Sequence, residues 1–112
     1  MKPNRELQEC IDDCEKCHRT CLRMAVTHCL AVGGRHVEQE HFHLMLDCID
    51  ICRVAADFML RESTYHPRIC GVCADICDSC AESCSRLDGM QECVKDCRRC
   101  AESCRAMAAE TV

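Results

Sequence analysis

The sequence predicts an all-α protein, an antiparallel up-down-up-down four-helix bundle with a cysteine-lined core. Three observations lead to this fold class. Only four Gly and two Pro occur in 112 residues, which leaves long stretches without a helix breaker. The breakers that are present divide the chain into four segments of helical length. Along each segment the cysteines recur at steps of three and four, which places them on one helical face.

The four helices have predicted bounds that follow from the turn signals between them. They are expected over residues 4–31, 35–61, 67–87 and 90–109. Gly33 and Gly34 separate the first two, and the stretch STYHP precedes the third, where Pro67 suits a first helical turn. Asp88 and Gly89 end the third helix, with Gly89 as a left-handed cap. Short connections favour antiparallel neighbours, and residues 1–112 are expected to form a single domain.

The cysteines are predicted to line the axis of this bundle. The stretch CGVCADICDSCAESC, residues 70–84, shows the rhythm, with gaps of three, four, three and four. Such steps are those of the a and d positions of a helical seam. The predicted cysteine seam consists of Cys10, Cys14, Cys17, Cys21, Cys48, Cys52, Cys70, Cys73, Cys77, Cys80, Cys84, Cys93, Cys97, Cys100 and Cys104. Cys29 alone lies one position off the extension of its own run.

Extending the stripes beyond the cysteines sorts other side chains to the two ends of the bundle. On the first helix the next seam positions are Met24 and His28, and on the second the stripe includes His41, Met45, Ala55 and Met59. One end is expected to gather Met24, His28, Cys29, His41, Met45, Leu87 and Met90. The opposite end is expected to gather Leu7, Met59, His66 and Met107. His18 falls beside the seam, and His36 and His43 are expected to be exposed.

Composition excludes several classes of partner. The net charge is −5 and the basic residues are scattered, so no basic patch suggests a nucleic-acid partner. No apolar run approaches the roughly 20 residues that span a bilayer. The stretch MKPNRELQEC lacks the apolar core of a signal peptide, so the protein is expected to be cytoplasmic. In a reducing cytosol, dense cysteines indicate metal binding more often than disulfides.

A seam made almost wholly of cysteine poses a packing problem. Shortening a core side chain costs about 2–5 kcal/mol, partly through the cavity left behind, so the thiols alone would fill the bundle poorly. Soft metal ions are the natural filler, and Cu(I) is monovalent and suits thiolates. Bridging thiolates would bring the ratio toward one Cu(I) per thiol and cancel the charge. The alternatives are a thiol-redox protein, a zinc store, whose four-thiolate sites each carry −2, and an iron–sulfur carrier.

The repeated C-x3-C and C-x2-C pairs along the helices resemble those of the cytosolic bacterial copper storage proteins, a family of cysteine-rich four-helix bundles once filed as a domain of unknown function. The resemblance covers essentially the whole chain. It implies storage of multiple Cu(I) ions per chain by paired thiolates, one end of the bundle as the entrance, and a homotetramer. The ligands that it implies are the fifteen cysteines of the predicted seam, to which Cys29 is added as a further candidate.

The protein is expected to bind copper rather than to catalyse a reaction, because no nucleophile–base pair or open catalytic metal site stands out. The thioether and imidazole groups of one end are candidate entrance and relay ligands for Cu(I). They are Met24, His28, His41, Met45 and Met90. Two further apolar lines, Leu44, Ile51 and Phe58 on the second helix and Ile69, Val72 and Ile76 on the third, suit either lateral packing or a subunit interface.

Overall fold

The structure of the protein, a computed structural model, describes residues 5–109, and these residues form four long helices. Helix α1 spans Arg5–Met24 and continues through a π-helical turn, Ala25–Cys29, into a last α-turn, Leu30–Val32. Helix α2 spans Gln39–Leu60, α3 spans His66–Ser85 and α4 spans Gln91–Ala108. The predicted start of the first helix at residue 4 lies outside the described residues.

The helices pack as a ring of neighbours around one axis. Helix α1 packs on α2, α2 on α3, α3 on α4, and α4 returns to α1, which is the arrangement of an up-down-up-down bundle. The bundle is elongated, with principal extents of 48 × 18 × 17 Å. Within residues 5–109 no strand occurs. The predicted all-α four-helix fold is therefore confirmed.

Glycines form the first and the third connection, as expected. Gly33 and Gly34 have φ angles of 69° and 54°, and Gly89 has 77°, so all three adopt the left-handed region that favours glycine. The predicted second helix begins too early, however. Residues Gly34–Val37 form a 3-10 turn and Glu38 is the N-cap of α2, because the turn must reverse the chain before a regular helix can start. Helix α3 also ends at Ser85 rather than at residue 87, and Met90 is the N-cap of α4.

The π-helical turn in α1 changes which residues face the axis. A regular α-helix would continue the cysteine run through Met24 and His28. The π turn inserts one extra residue, which rotates the following residues by one position. Ala25 and Cys29 are fully buried instead, whereas Met24 and His28 are only partly buried. The turn thus explains why a cysteine one position off the repeat still lies in the core, and the seam positions predicted for Met24 and His28 are wrong.

Conventional hydrophobic packing surrounds the cysteines. Ile11 and Ile49 are buried between helices, as are the alanines Ala56, Ala74, Ala81 and Ala101. Leu7, Phe42, Ile51, Ile69, Ile76, Leu87 and Val94 are partly buried against this core. The predicted stripe of α2 is confirmed, because His41, Met45, Cys48, Cys52, Ala55 and Met59 are all buried. These residues bury apolar surface outside the cysteines.

Many charged side chains lie on the exterior of the bundle. Ion pairs join neighbouring helices, for example Arg23 to Glu92 at 3.1 Å and Arg105 to Asp78 at 2.8 Å. Such exposed pairs contribute about 0–1 kcal/mol each. Within residues 5–109, none of the helices has the length and apolarity needed to cross a membrane.

Candidate metal centre

All sixteen cysteines converge on the axis of the bundle, including Cys29. Each is fully buried and each is a free thiol, with no disulfide among them. We refer to these sixteen side chains as the thiol column. All four helices contribute thiols to the column, which lies along the axis of the bundle. It occupies the space that leucine and isoleucine fill in an ordinary bundle.

The sulfur atoms of the column lie close together, both along single helices and between helices. Pairs four residues apart on one helix have Sγ–Sγ distances of 3.9 Å for Cys17 and Cys21 and 3.8 Å for Cys73 and Cys77. Contacts between helices are as short, with 3.4 Å between Cys14 and Cys104. A chain of Sγ–Sγ contacts of 4.0 Å or less connects Cys10, Cys104, Cys14, Cys100, Cys52, Cys77, Cys48, Cys97 and Cys21. An ion bound at one pair therefore lies beside the next pair.

Four groups of thiols have the compactness of a metal site, with all sulfurs of a group within 4.8 Å of one another. Three are four-thiol groups and the fourth is a triad. The groups are Cys14, Cys73, Cys100 and Cys104; Cys17, Cys21, Cys48 and Cys97; Cys17, Cys52, Cys77 and Cys100; and Cys10, Cys70 and Cys104. Cys17, Cys100 and Cys104 each belong to two groups. The four groups therefore cannot all be closed sites at the same time, and a thiolate shared by two occupied groups would bridge their ions.

Within residues 5–109, no Lys or Arg side chain is buried beside the column to balance its thiolates. Among the described residues, the buried polar or charged side chains are Thr20, His36, His41 and Asp96. Burial raises the pKa of the Cys29 thiol. Contact with Cys80 is the main cause that raises the pKa of the Cys84 thiol, and burial adds to it. The Cys29 and Cys84 thiols are therefore protonated at neutral pH until a metal ion replaces the proton.

One end of the column adds thioether sulfur to the thiols. We call it the Gly33 end, defined by Gly33, Met45 and Met90. Met45 Sδ lies 3.6 Å from Cys80 Sγ and 3.5 Å from Cys84 Sγ. Met90 Sδ lies 3.9 Å from Cys29 Sγ. Both methionines are fully buried, so the structure brings these two predicted residues into direct contact with thiols.

His41 lies on α2 one helical turn before Met45, at the same end of the bundle. Its Nδ1 lies 2.8 Å from Ser83 Oγ, and its Nε2 is buried without a hydrogen-bond partner. In the tautomer that donates from Nδ1 to Ser83, Nε2 presents a free lone pair. Burial, with a smaller effect of His36, lowers the pKa of His41 and keeps the imidazole neutral, which is the form that binds metals.

His28 and His36 close the Gly33 end from the outside. His28 Nε2 and His36 Nε2 both donate to the Asp88 carbonyl oxygen, at 3.1 and 2.9 Å, and their rings meet edge to face with centroids 5.2 Å apart. His36 is buried, so its predicted exposure is wrong. The sequence carries no local signal for this contact, because the acceptor lies 52 residues away.

The other predicted side residues lie off the column. Met24 is partly buried against the core. His18 Nδ1 donates to the Ile49 carbonyl oxygen at 2.7 Å, so it ties α1 to α2 rather than facing a thiol. His43 is exposed, as predicted. At the opposite end, Met59 and Met107 are buried and Leu7 packs against the core.

Comparison with known proteins identifies close relatives over almost the whole chain. The family model described as copper storage protein matches residues 3–109. A crystal structure of a Nitrosospira multiformis protein is 58% identical and covers 96% of this chain and 98% of its own, with a TM-score of 0.94. The Cu(I)-bound copper storage protein BsCsp3 is 36% identical, covers 93% of this chain and 99% of its own, and has a TM-score of 0.84. The apo form of copper storage protein 3 from Bacillus subtilis is 37% identical, covers 90% and 97%, and has a TM-score of 0.79.

Proposed function

The chain belongs to the copper storage protein family, and we propose that its thiol column holds many Cu(I) ions as stored cargo. All sixteen cysteines are the proposed ligands, in pairs along and between helices. The proposal extends to residues 1–112 acting as one storage domain. It describes a binding protein rather than an enzyme, in line with the storage role of its family.

The observation that carries the proposal is the charge balance of the column. Most of the sixteen buried thiols lie within bridging distance of another thiol, and among the described residues no Lys or Arg side chain is buried beside them. Each Cu(I) that binds replaces one proton, so a ratio of one ion per thiolate leaves the interior neutral. A neutral filling is needed because uncompensated charge in a dry core is very costly.

Other fillings fit the geometry less well. In a closed zinc site, four thiolates carry four negative charges and the zinc ion carries two positive charges, so the site keeps a net charge of −2. Several such sites in one bundle would accumulate negative charge in its interior. Because Cys17 and Cys100 are each shared between two four-thiol groups, the three four-thiol groups cannot all be closed sites at the same time. A thiol-redox role lacks a distinct reactive pair, since every thiol is fully buried.

The Gly33 end is the proposed entrance for Cu(I). Met45 and Met90 contact the outermost thiols of the column. The buried Nε2 of His41 has no hydrogen-bond partner and is therefore available to a metal ion. A cleft of about 460 Å³ between α2 and α3 reaches His41, and its lining includes both acidic residues, Glu38 and Glu82, and basic residues, Arg35 and Arg86. Neutral thioether and imidazole ligands bind Cu(I) without the charge of a thiolate, which suits transient passage. Met24 and His28 complete the proposed relay.

Location and assembly are part of the same proposal. Sixteen free thiols persist in a reducing compartment, which supports a cytoplasmic location. A homotetramer, as the family resemblance implies, is supported by an apolar line on the outer face of α1. Leu22, Val26 and Leu30 are 41%, 50% and 56% exposed there. The apolar lines that the sequence predicted as a possible subunit interface lie on the second and third helices and do not include this face of α1.

The metal preference tests the proposal directly. The fully reduced protein is incubated without oxygen with excess Cu(I) or excess Zn(II), desalted, and analysed for metal per chain. We expect copper to exceed zinc several-fold and to displace bound zinc, because only a monovalent ion neutralises every thiolate. Retention of zinc against excess Cu(I) would contradict the copper assignment.

A further inference from the structure

Two buried side-chain atoms of the described residues lack a hydrogen-bond partner, and both are imidazole nitrogens. They are Nε2 of His41 and Nδ1 of His66. A buried polar atom without a partner is destabilising, and native structures contain few of them. His41 belongs to the Gly33 end and is part of the proposed entrance. His66 lies at the opposite end of the column, which has no assigned role.

The position of His66 connects it to the thiols of that end. We call this the His66 end, defined by Leu7, Met59, His66 and Met107. His66 begins α3 and lies one helical turn before Cys70, on the same face. Cys70 forms the compact triad with Cys10 and Cys104. The histidine as a whole is only half-buried. Part of it is therefore exposed to solvent, while its Nδ1 is buried at the end of the column.

The side chains that share this end of the column with His66 offer a water molecule few hydrogen-bond partners. The other residues of the His66 end are apolar or thioether side chains, and Met59 and Met107 are fully buried. A buried water usually makes about three hydrogen bonds to polar groups. Weakly polar thiols and thioethers are poor partners for water but good ligands for a soft metal, and imidazole also binds copper.

We propose that His66 Nδ1 is a copper ligand at the Cys10–Cys70–Cys104 triad and that the His66 end is a second port of the thiol column. The inference rests on the proposed storage function. Copper remains Cu(I) throughout: one bond from Cu(I) to a thiolate of the triad breaks as the bond to His66 Nδ1 forms. The released thiolate takes up a proton from solvent when the ion leaves. The bundle then exchanges copper at both ends rather than at one.

Nitrogen NMR of the histidines tests the ligand directly in the unmodified protein. Cu(I) has a filled d shell and is diamagnetic, so ¹⁵N-histidine spectra can be followed through a full anaerobic titration. We expect the Nδ1 resonance of His66 to move during loading, while those of exposed His43 stay unchanged. An unchanged His66 Nδ1 in a fully loaded protein would overturn the inference. Copper bound per chain is measured on the same samples, so failure of storage and failure of this ligand give different results.

Exchange rates test the second port. His41→Ala, His66→Ala and the double variant are loaded with Cu(I), and removal by excess chelator is timed, with His43→Ala as the matched control. If both ends exchange copper, the double variant should release copper about ten-fold more slowly than the control and more slowly than His41→Ala. A double variant that matches His41→Ala would overturn the second port. Circular dichroism verifies that each variant keeps its helices.

Discussion

Met45 and Met90 are the residues at which the ligand chemistry of the column changes from thiolate to thioether. Their sulfurs contact Cys84 and Cys29 at 3.5 and 3.9 Å. Leucine has a similar volume but no ligand atom, so Met45→Leu and Met90→Leu keep the packing and remove the contact with copper. We expect loading to slow by about ten-fold in the double variant, with His28→Ala adding to the effect.

The number of Cu(I) ions bound at saturation separates a relay from a storage site. Stopped-flow loading and equilibrium capacity are measured on the same variant. The proposal predicts slower loading with nearly unchanged capacity, because the sixteen thiols remain. A large fall in capacity would make the methionines storage ligands instead.

Asp96 is a buried carboxylate on α4 that fixes the register of α4 against α1. It accepts a hydrogen bond from Thr20 Oγ1 at 2.7 Å and lies 3.9 Å from Lys16 Nζ. Hydrogen bonds to charged groups contribute about 1.5–3 kcal/mol. Thr20→Val should therefore lower the free energy of unfolding of the metal-free protein by about that amount.

Denaturant unfolding measures this effect, and Lys16→Met is the control. Lys16 is half-exposed, so its ion pair with Asp96 should contribute only about 0–1 kcal/mol. A Thr20→Val variant as stable as the wild type would show that the hydroxyl does not hold Asp96.

Helix α1 shows how far an element could be predicted and where prediction stopped. The turn signal at Gly33 and Gly34 predicted where it ends, the three-and-four spacing predicted its buried face, and Cys10 to Cys21 lie where expected. The π turn over Ala25–Cys29 was missed, because spacing rules assume a regular helix. Cys29, one position off the repeat, was the available signal. His36 was missed for another reason: its acceptor, the Asp88 carbonyl, comes from a distant turn that no local pattern indicates.

The extra residue in α1 leads to a prediction for that helix. Val26 is half-exposed within the π turn, so deleting it should give a regular α-helix while every later residue keeps its orientation. Cys29 should remain buried, and the variant should be at least as stable as the wild type. Reaction of the metal-free protein with a thiol reagent checks this, and rapid labelling of Cys29 would contradict the register assigned to the turn.

The bundle as a whole should fold without metal, because Ile11, Ile49 and the buried alanines pack outside the column. Its stability should depend on pH in two windows. The pKa of Cys29 is raised by burial above 9.0, so above about pH 9 the unfolded chain loses this proton first and stability falls. The pKa of His41 is lowered below 6.5, so below about pH 6.5 the unfolded chain gains a proton first and stability falls again.

Thermal unfolding of the reduced metal-free protein between pH 5 and 10, followed by circular dichroism, measures this profile. We expect a helical protein with a plateau of stability between the two windows. His41→Ala should flatten the acid side and leave the alkaline side unchanged. A reduced protein without helical signal at neutral pH would contradict folding without metal.

The most direct test of the storage account is an anaerobic titration of the fully reduced protein with Cu(I) in competition with a strong chromogenic Cu(I) chelator. The account predicts tight uptake that continues to about one ion per thiol, close to the sixteen thiols of the chain. Saturation at one or two ions would contradict it, and the thiol column would then serve a sensor, a carrier or another metal.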